Sequence, residues 1–296
     1  MNPSDRHGKK VCIITPEYLT STPRVVKEAD ALCAAGFDVR VVFSQGNIAY
    51  VRKFDESFLK NKPWSYERVG WSPAVPSERF RYYYTGIRLH VCGLLSFLWR
   101  IPGVAERAEG RVFPELLRLA LRQKADVYIG HYPTGLCVAA HAARYWKGAY
   151  AYDIEDLHAA ESPDTPEGRK RTRRIVLLEK RFIHGCAYCS AVSEGVAQEI
   201  TRRYGVLSPV VVKNVFSLSE INRADGLVKD RRGNAVSLYW YSQVVGEDRG
   251  IQDLIKAAGL LKGEFQLHIR GFLSRTIHDR LNDLARTSGI EDKLYF

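Results

Sequence analysis

Hydrophobic residues in this chain come as short unbroken runs, separated by longer stretches in which apolar positions recur every three or four residues. That is the signature of buried parallel strands alternating with amphipathic helices. Lys10–Thr15 (KVCIIT) predicts a first strand, Pro23–Ala35 a helix with Pro23 in its first turn and Gly36 at its end, and Val39–Phe43 a second strand. The alternation resumes with a helix over Phe113–Gln123, a strand at Asp126–Gly130, a helix over 134–146, a strand at Ala149–Tyr152 and a long basic helix over Thr165–His184. Ala187–Val192 reads as a strand that stops at Ser193, whose hydroxyl can cap a helix starting at Glu194. That helix closes on two arginines, with Gly205 placed to supply a left-handed terminus. Val210–Val212 is β-branched and continuous, as a strand covered on both faces would be.

A polar stretch over 217–234 then marks a domain boundary. Beyond it the pattern predicts strand Ala235–Tyr241, helix Ile251–Leu261, strand Phe265–Arg270, helix 274–287 and a closing strand at 294–296. Met1–Lys9 is polar and reads as a frayed arm. Ser44–Arg111 is the least legible region, crowded with aromatics and arginines. Its Leu89–Trp99 run is nearly apolar but shorter than the roughly 20 residues that cross a bilayer. Residues 86–101 therefore carry two readings: a helix buried in the first domain, or an interfacial helix that docks on a membrane carrying a lipid-linked acceptor. Interleaved arginines and aromatics also suit single-stranded nucleic acid, but no RNP-like or KH-like pattern is present, and no nucleic-acid partner is expected.

Composition changes this picture little. The chain has 296 residues, 46% hydrophobic and 26% charged, as a globular protein of one large or two ordinary domains would be. A formal charge of +11 suits anionic partners (nucleoside diphosphates, anionic lipid headgroups or nucleic acid) without choosing among them. Six irregularly spaced cysteines, with no signal peptide, predict reduced thiols and a cytoplasmic setting. Cys186 and Cys189 form a lone CxxC; a zinc site wants a second pair, so core packing and no metal are expected. The loop after the first strand lacks Gly-x-Gly-x-x-Gly, which disfavours a nicotinamide enzyme. In open parallel sheets ligands bind beyond the carboxyl ends of the strands. His131 and the acidic run Asp153, Glu155, Asp156, His158, Glu161 fall there, the plain alternative being a solvated, helix-capping loop.

The order EKR…A…SAVSEGVAQEI…YG…PVVV-x-N over 179–214 resembles the close of the first domain in GT-B glycosyltransferases, specifically the large retaining group of family 4. In that group the Asn of a Pro-Asn-Gly-Val-like turn marks the strand entering the cleft; here the turn is Lys213-Asn214-Val215-Phe216, and of that pattern the Asn remains. Gly36-Phe37-Asp38-Val39 resembles the family's Gly-His-x-Val opening of strand two. Ser242 through Gly250 resembles its Gly-Arg-x₅-Lys-Gly donor loop, with Arg249 at the Lys position and Ser242 and Gln243 in place of the first Gly and Arg.

The resemblance implies an α/β protein of two Rossmann-like domains (GT-B), the second domain incomplete. Residues 1–216 would be the acceptor-side domain, 217–234 a linker and 235–296 part of the nucleotide-sugar domain. The family's Glu-x₇-Glu motif follows the third strand of the second domain, where this sequence stops, so the chain reads as C-terminally truncated. The implied activity is retaining transfer of a sugar from a nucleotide-diphosphate donor to a glycan or lipid-linked acceptor in surface polysaccharide synthesis, with no cofactor and no metal. Implied catalytic or sugar-contacting residues are Asp153, Glu155 and Asp156. Glu155 stands where a familiar branch, Tyr-Asp-x-His-Glu, has its His, and His158 is the local substitute. Donor contacts fall on Ser242, Gln243, Arg249, Gly250, Asn214 and Gly271, and acceptor-side contacts on Thr22, Arg24 and His131. Rival readings are a nucleotide-sugar epimerase or phosphorylase on the same fold, and a non-catalytic scaffold. The implied location is cytoplasmic, with peripheral contact at the inner, anionic face of the plasma membrane as the sharper option.

Overall fold

A computed structural model describes residues 8–46, 49–216, 218, 236–246 and 249–296. Most of the expected arm, the linker 217–234 apart from Leu218, Ala235, and Glu247 and Asp248 of the second-domain loop lie outside the described residues. The chain divides into two units, Met1–Val215 and Phe216–Phe296.

The first unit runs β1 (Lys10–Thr15), α1 (Pro23–Ala34), β2 (Asp38–Gln45), α2 (Ala49–Leu59), β3 (Ser65–Gly70), α3 (Pro76–Leu94), α4 (Val104–Glu109), α5 (Phe113–Ala120), β4 (Val127–His131), α6 (Tyr132–Trp146), β5 (Ala149–Ile154), α7 (Pro166–Phe182), β6 (Tyr188–Ala191), α8 (Glu194–Tyr204) and β7 (Val210–Val211). All seven strands are parallel, in the order β3-β2-β1-β4-β5-β6-β7. Successive strand residues face opposite sides, and the core splits accordingly. Ile13, Val41 and Ile129 pack with Val25, Val26 and Ala29 of α1 on one face. Ile14, Val42 and Tyr128 pack with Leu116 of α5 and Val138 and Ala142 of α6 on the other.

Local chemistry explains the better-defined ends. Ser193 accepts a hydrogen bond from the Val196 amide at the start of α8, and Gly205 ends that helix at φ 66°. Thr165 caps α7 through the Gly168 amide. Glu179, in the last turns of α7, is buried and receives the hydroxyls of Tyr152 on β5 (2.9 Å) and Tyr204 on α8 (2.5 Å), so one carboxylate fastens three elements. All six cysteines are free; Cys186 and Cys189 are half-buried and pack against the core around Tyr152 and Ile183.

Two expectations are corrected. Residues 210–212 are not a strand covered on both faces: β7 is a two-residue edge strand, and Val210 is 61% exposed. A β-branched run reports a taste for extended backbone, not which neighbours cover it. Nor is the 86–101 region a buried helix. It belongs to α3 and the turn after it, and α3 buries only Glu78 and Thr85 while Phe80, Ile87 and Leu94 stand exposed.

The second unit runs β8 (Val236–Val244), α9 (Ile251–Ala258), β9 (Phe265–Phe272), α10 (Arg275–Thr287) and β10 (Leu294–Tyr295). Its three strands are parallel in the order β10-β9-β8, and Ile251, Ile255, Leu267, Ile269, Leu281 and Ala285 make its own core. Ser274 caps α10 through the Ile277 amide.

Candidate functional site

The carboxyl ends of β4 and β5 hold a cluster of ionised side chains. Two glycines set its frame. A Cβ on Gly130 would lie 2.4 Å from the Gly135 backbone, and one on Gly135 would lie 2.7 Å from the Ile14 carbonyl, so the end of β4 and the first turn of α6 pack backbone to backbone against β1. Between them Pro133 opens α6, and Tyr132 takes φ 63°, a left-handed conformation that a non-glycine side chain adopts only under constraint. His131, the last residue of β4, is thereby fixed with no exposed surface.

Both imidazole nitrogens of His131 meet carboxylates. Nε2 lies 2.7 Å from Glu28 of α1; Nδ1 lies 2.8 Å from Glu155 and 3.3 Å from Asp153. Burial alone would drive the ring neutral, but the hydrogen bonds to Glu155 and Glu28 and the surrounding negative charge outweigh it, pushing the pKa up to about 10. His131 is therefore a fixed imidazolium at neutral pH, donating from both nitrogens. Asp153 is buried on β5, where the strand runs on to Ile154 instead of stopping at Tyr152. Its carboxylate accepts from the Arg24 guanidinium, at 2.6 Å from one amino nitrogen and closer still from Nε, and from the Ser190 hydroxyl of β6. Burial favours the neutral acid there, but Arg24 and His131 hold the carboxyl below its usual range. Two cations thus meet three carboxylates, which is what allows so much charge away from water.

His131, Asp153 and Glu155 also offer three ligand atoms within 4.8 Å of one another. A metal at that point would have to displace the proton that Nδ1 shares with Glu155.

Of the residues expected on the acceptor side, Arg24 and His131 join this cluster. Thr22 is buried, and its hydroxyl is spent on the Tyr18 carbonyl (2.8 Å). Of the catalytic candidates, Asp153 is wholly engaged by protein groups, Glu155 is half-buried with one oxygen on His131, and Asp156 is exposed. His158 is buried, its Nδ1 3.2 Å from Glu161 and its ring 4.9 Å from that of Tyr132; its Nε2 is buried without a hydrogen-bond partner. That hydrogen bond to His158 holds Glu161 below its usual carboxylate range. Glu28 and Ser190 are members that the sequence did not single out. Arg24 and Glu28 are four residues apart on α1, a spacing that reads from sequence as an ordinary surface ion pair.

Beside the cluster opens a cavity of about 410 Å³ lined by Arg24, Lys27, Glu28, Asp153, Ser190 and Asn214 among others. Asn214, expected on the donor side, takes a hydrogen bond from Lys27 (3.2 Å), and the Val215 carbonyl takes another (2.8 Å). The last turn of the unit is thus tied back to α1.

In the second unit, Ser242 and Gln243 lie inside β8, which runs to Val244, and not in a loop as expected. A Cβ on Gly271 would meet the Ser242 carbonyl at 2.2 Å, so these residues serve a close approach of β8 and β9. Arg249 is exposed, its amide bonded to the Gly246 carbonyl, and Gly250 at φ 68° leads into α9. Arg249, expected to contact the donor, thus lies exposed just before the N-terminus of α9.

Two consecutive units of parallel β-α-β build, the first with charged groups gathered at the carboxyl ends of its strands, define an α/β protein of the GT-B class. Residues 20–214 match the family model described as "Glycosyl transferase 4-like domain", and the chain belongs to that family. No curated protein matches it in sequence. Among solved structures it resembles Anabaena HepE in complex with UDP and glucose (14% identity, 97% of this chain and 68% of that one, TM-score 0.61). It also resembles the sucrose-phosphate synthase of Thermosynechococcus elongatus (12%, 97% and 70%, TM-score 0.61) and the lipopolysaccharide outer core galactosyltransferase WaaB in its apo form (17%, 97% and 66%, TM-score 0.55). The chain spans about two thirds of the length of each of these three. Its family and fold make it a glycosyltransferase of the GT-B type.

Proposed function

We propose that the protein moves a sugar, with retention of configuration, from a nucleotide-diphosphate donor to a hydroxyl of a glycan or lipid-linked acceptor in surface polysaccharide synthesis, at the cytoplasmic face of a membrane. The observation that carries the reading is the cluster of two cations and three carboxylates at the ends of β4 and β5, which lies wholly within the family-matched residues 20–214. HepE, a neighbour in fold, is described with UDP and glucose, and that supports a nucleotide sugar as donor.

The roles divide by what each side chain has left to give. Arg24, Asp153 and His131 are positioning residues, since their polar atoms are taken up by one another and by Glu28, Ser190 and Val212. Glu155, held by His131 through one oxygen, has a second oxygen for a sugar hydroxyl or for oxocarbenium-like charge at the anomeric carbon. With both ring nitrogens donating to carboxylates at neutral pH, His131 has no lone pair to act as a base; it biases the potential felt by the sugar. The unpartnered Nε2 of His158 is the nearby group able to accept or donate one more hydrogen bond. Arg249 and the amides opening α9 would hold the diphosphate as it departs with growing negative charge, so no metal is needed for that task.

Calorimetric titration with UDP and GDP, together with product analysis against candidate acceptors, tests the reading. Arg249→Ala is expected to weaken nucleotide binding by about tenfold or more. Glu155→Gln is expected to keep nucleotide binding and lower transfer by roughly a hundredfold. Nucleotide affinity untouched by Arg249→Ala removes the donor role, and binding of neither nucleotide favours a scaffold.

A further inference from the structure

Helix α3 is built inside out. Along its 19 residues, Phe80, Tyr84, Ile87, Val91 and Leu94 recur at alternating intervals of four and three, which places them on one face. In an ordinary surface helix that face is the buried one. Here it is exposed: Phe80 is 81% accessible and Leu94 66%. The opposite face carries the charges, and they point into the protein. Glu78 pairs with Arg52 at 2.8 Å, Arg88 with Glu115 at 2.6 Å, and Arg81 reaches the Gly70 carbonyl. These pairs fix the rotation of the helix about its axis, so the apolar stripe is held outward by partners on the other side. The turn after the helix continues the surface with Phe97, 76% accessible, and Ile101. Single exposed apolar residues need no explanation, but a contiguous stripe of this length does.

We propose that this face is a membrane-docking surface, lying in the boundary between headgroups and acyl chains of an anionic lipid surface. Charge decides between lipid and a second copy of the chain. Among residues 76–103 the only acidic side chain is Glu78, which is buried against Arg52, whereas Arg79 and Arg100 lie exposed near the two ends of the stripe. Two copies meeting through this face would bring like charges together, with no exposed carboxylate of residues 76–103 to offset them. Anionic headgroups supply the missing sign, and the chain's overall +11 adds to the attraction. The tyrosines at 83 and 84 present an apolar ring with a polar tip, the residue type that favours the water–lipid boundary. Among the described residues no helix is long and apolar enough to cross a membrane.

The proposal deepens the reading above, because a lipid-linked acceptor resides at such a surface, but its readout needs neither donor nor acceptor. Flotation with phosphatidylcholine vesicles, with and without roughly one third phosphatidylglycerol, is the measurement. The protein is expected to float with the anionic vesicles and to release in high salt. Ile87→Glu with Leu94→Glu is expected to lower vesicle partition by at least about tenfold while thermal melting and nucleotide titration stay unchanged. Should that variant not fold, Phe80→Ser with Phe97→Ser reads the same surface with smaller changes. Wild-type protein that floats with neither vesicle overturns the proposal, as does a folded variant that floats undiminished. So does a concentration-dependent dimer that the substitutions dissolve while vesicles go unbound. Vesicle binding with no nucleotide binding would leave the docking face standing and remove the transferase reading instead.

Discussion

Two regions of the first unit break the usual sorting of apolar groups inward and charges outward, and they break it in opposite senses. At the ends of β4 and β5, Arg24, His131 and Asp153 are buried together. Along α3, aromatic and aliphatic side chains face water while Glu78 and Arg88 face the protein. In the first region the backbone is pinned by strand pairing and by the Gly130–Gly135 contact, so each charge can be given a partner at fixed distance. In the second, the ion pairs use that same device to orient a helix and leave its apolar stripe outward. Buried charge is tolerable where its partners are rigid, and exposed apolar surface can be a by-product of where the charges have been put.

The largest effect is expected on removing the carboxylate that both buried cations share. Asp153→Ala leaves Arg24 and His131 under-compensated, and we expect a loss of about 3–5 kcal/mol in chemical denaturation. Retention of full stability would show the cluster to be more hydrated than its burial indicates. The second test is pH. In the folded chain His131 titrates at about 10, against an ordinary value of 6.5. Between those values the folded state holds a proton that the unfolded state has lost, so this contribution is complete below about 6.5 and declines as pH rises towards about 10. The unfolding free energy should fall across that window by an amount on the order of a few kcal/mol, and His131→Gln should flatten the slope. Asp153 and Glu161, held below their usual range, run the other way: what they contribute is lost as the medium turns acidic.

Smaller effects sharpen the other side. Arg88→Met removes the partner of Glu115 and one of the anchors that orient α3; a cost of roughly 1–3 kcal/mol is expected, with a change in tyrosine fluorescence as the helix rotates. Ile87→Ser, on the outward stripe, should change folding stability by less than about 0.5 kcal/mol. A large loss there would mean that the stripe is packed against something within the chain.

How much of this was legible in the sequence follows from the same contrast. Where burial and periodicity agree, reading was direct: the first strand falls at Lys10–Thr15 as expected, and α8 begins and ends on Ser193 and Gly205. In α3 they disagree. Its apolar period is real, but the face it marks is outward, because Arg88 and Glu78 find their partners on other elements, Glu115 being 27 residues away. A period reveals that a face exists and is silent on what covers it. The site was half legible for a related reason. His131 and Asp153 were placed by the rule that ligands gather at strand ends. Glu28 was missed because its partner lies 103 residues away, and no local pattern encodes that distance. The family pattern places Ser242 and Gln243 in a loop, whereas β8 extends to Val244, its pairing with β9 shifting register at these two residues and resuming at Val244 with Phe272.

Glu179 has a consequence of a different kind. Because its two oxygens hold Tyr152 and Tyr204, neither α7 nor α8 can peel from β5 without stranding a phenol and a carboxylate away from water. Amide protons on these three elements should therefore exchange with deuterium as a single cooperative block, at one shared opening rate, while those at the exposed β7 edge escape much earlier.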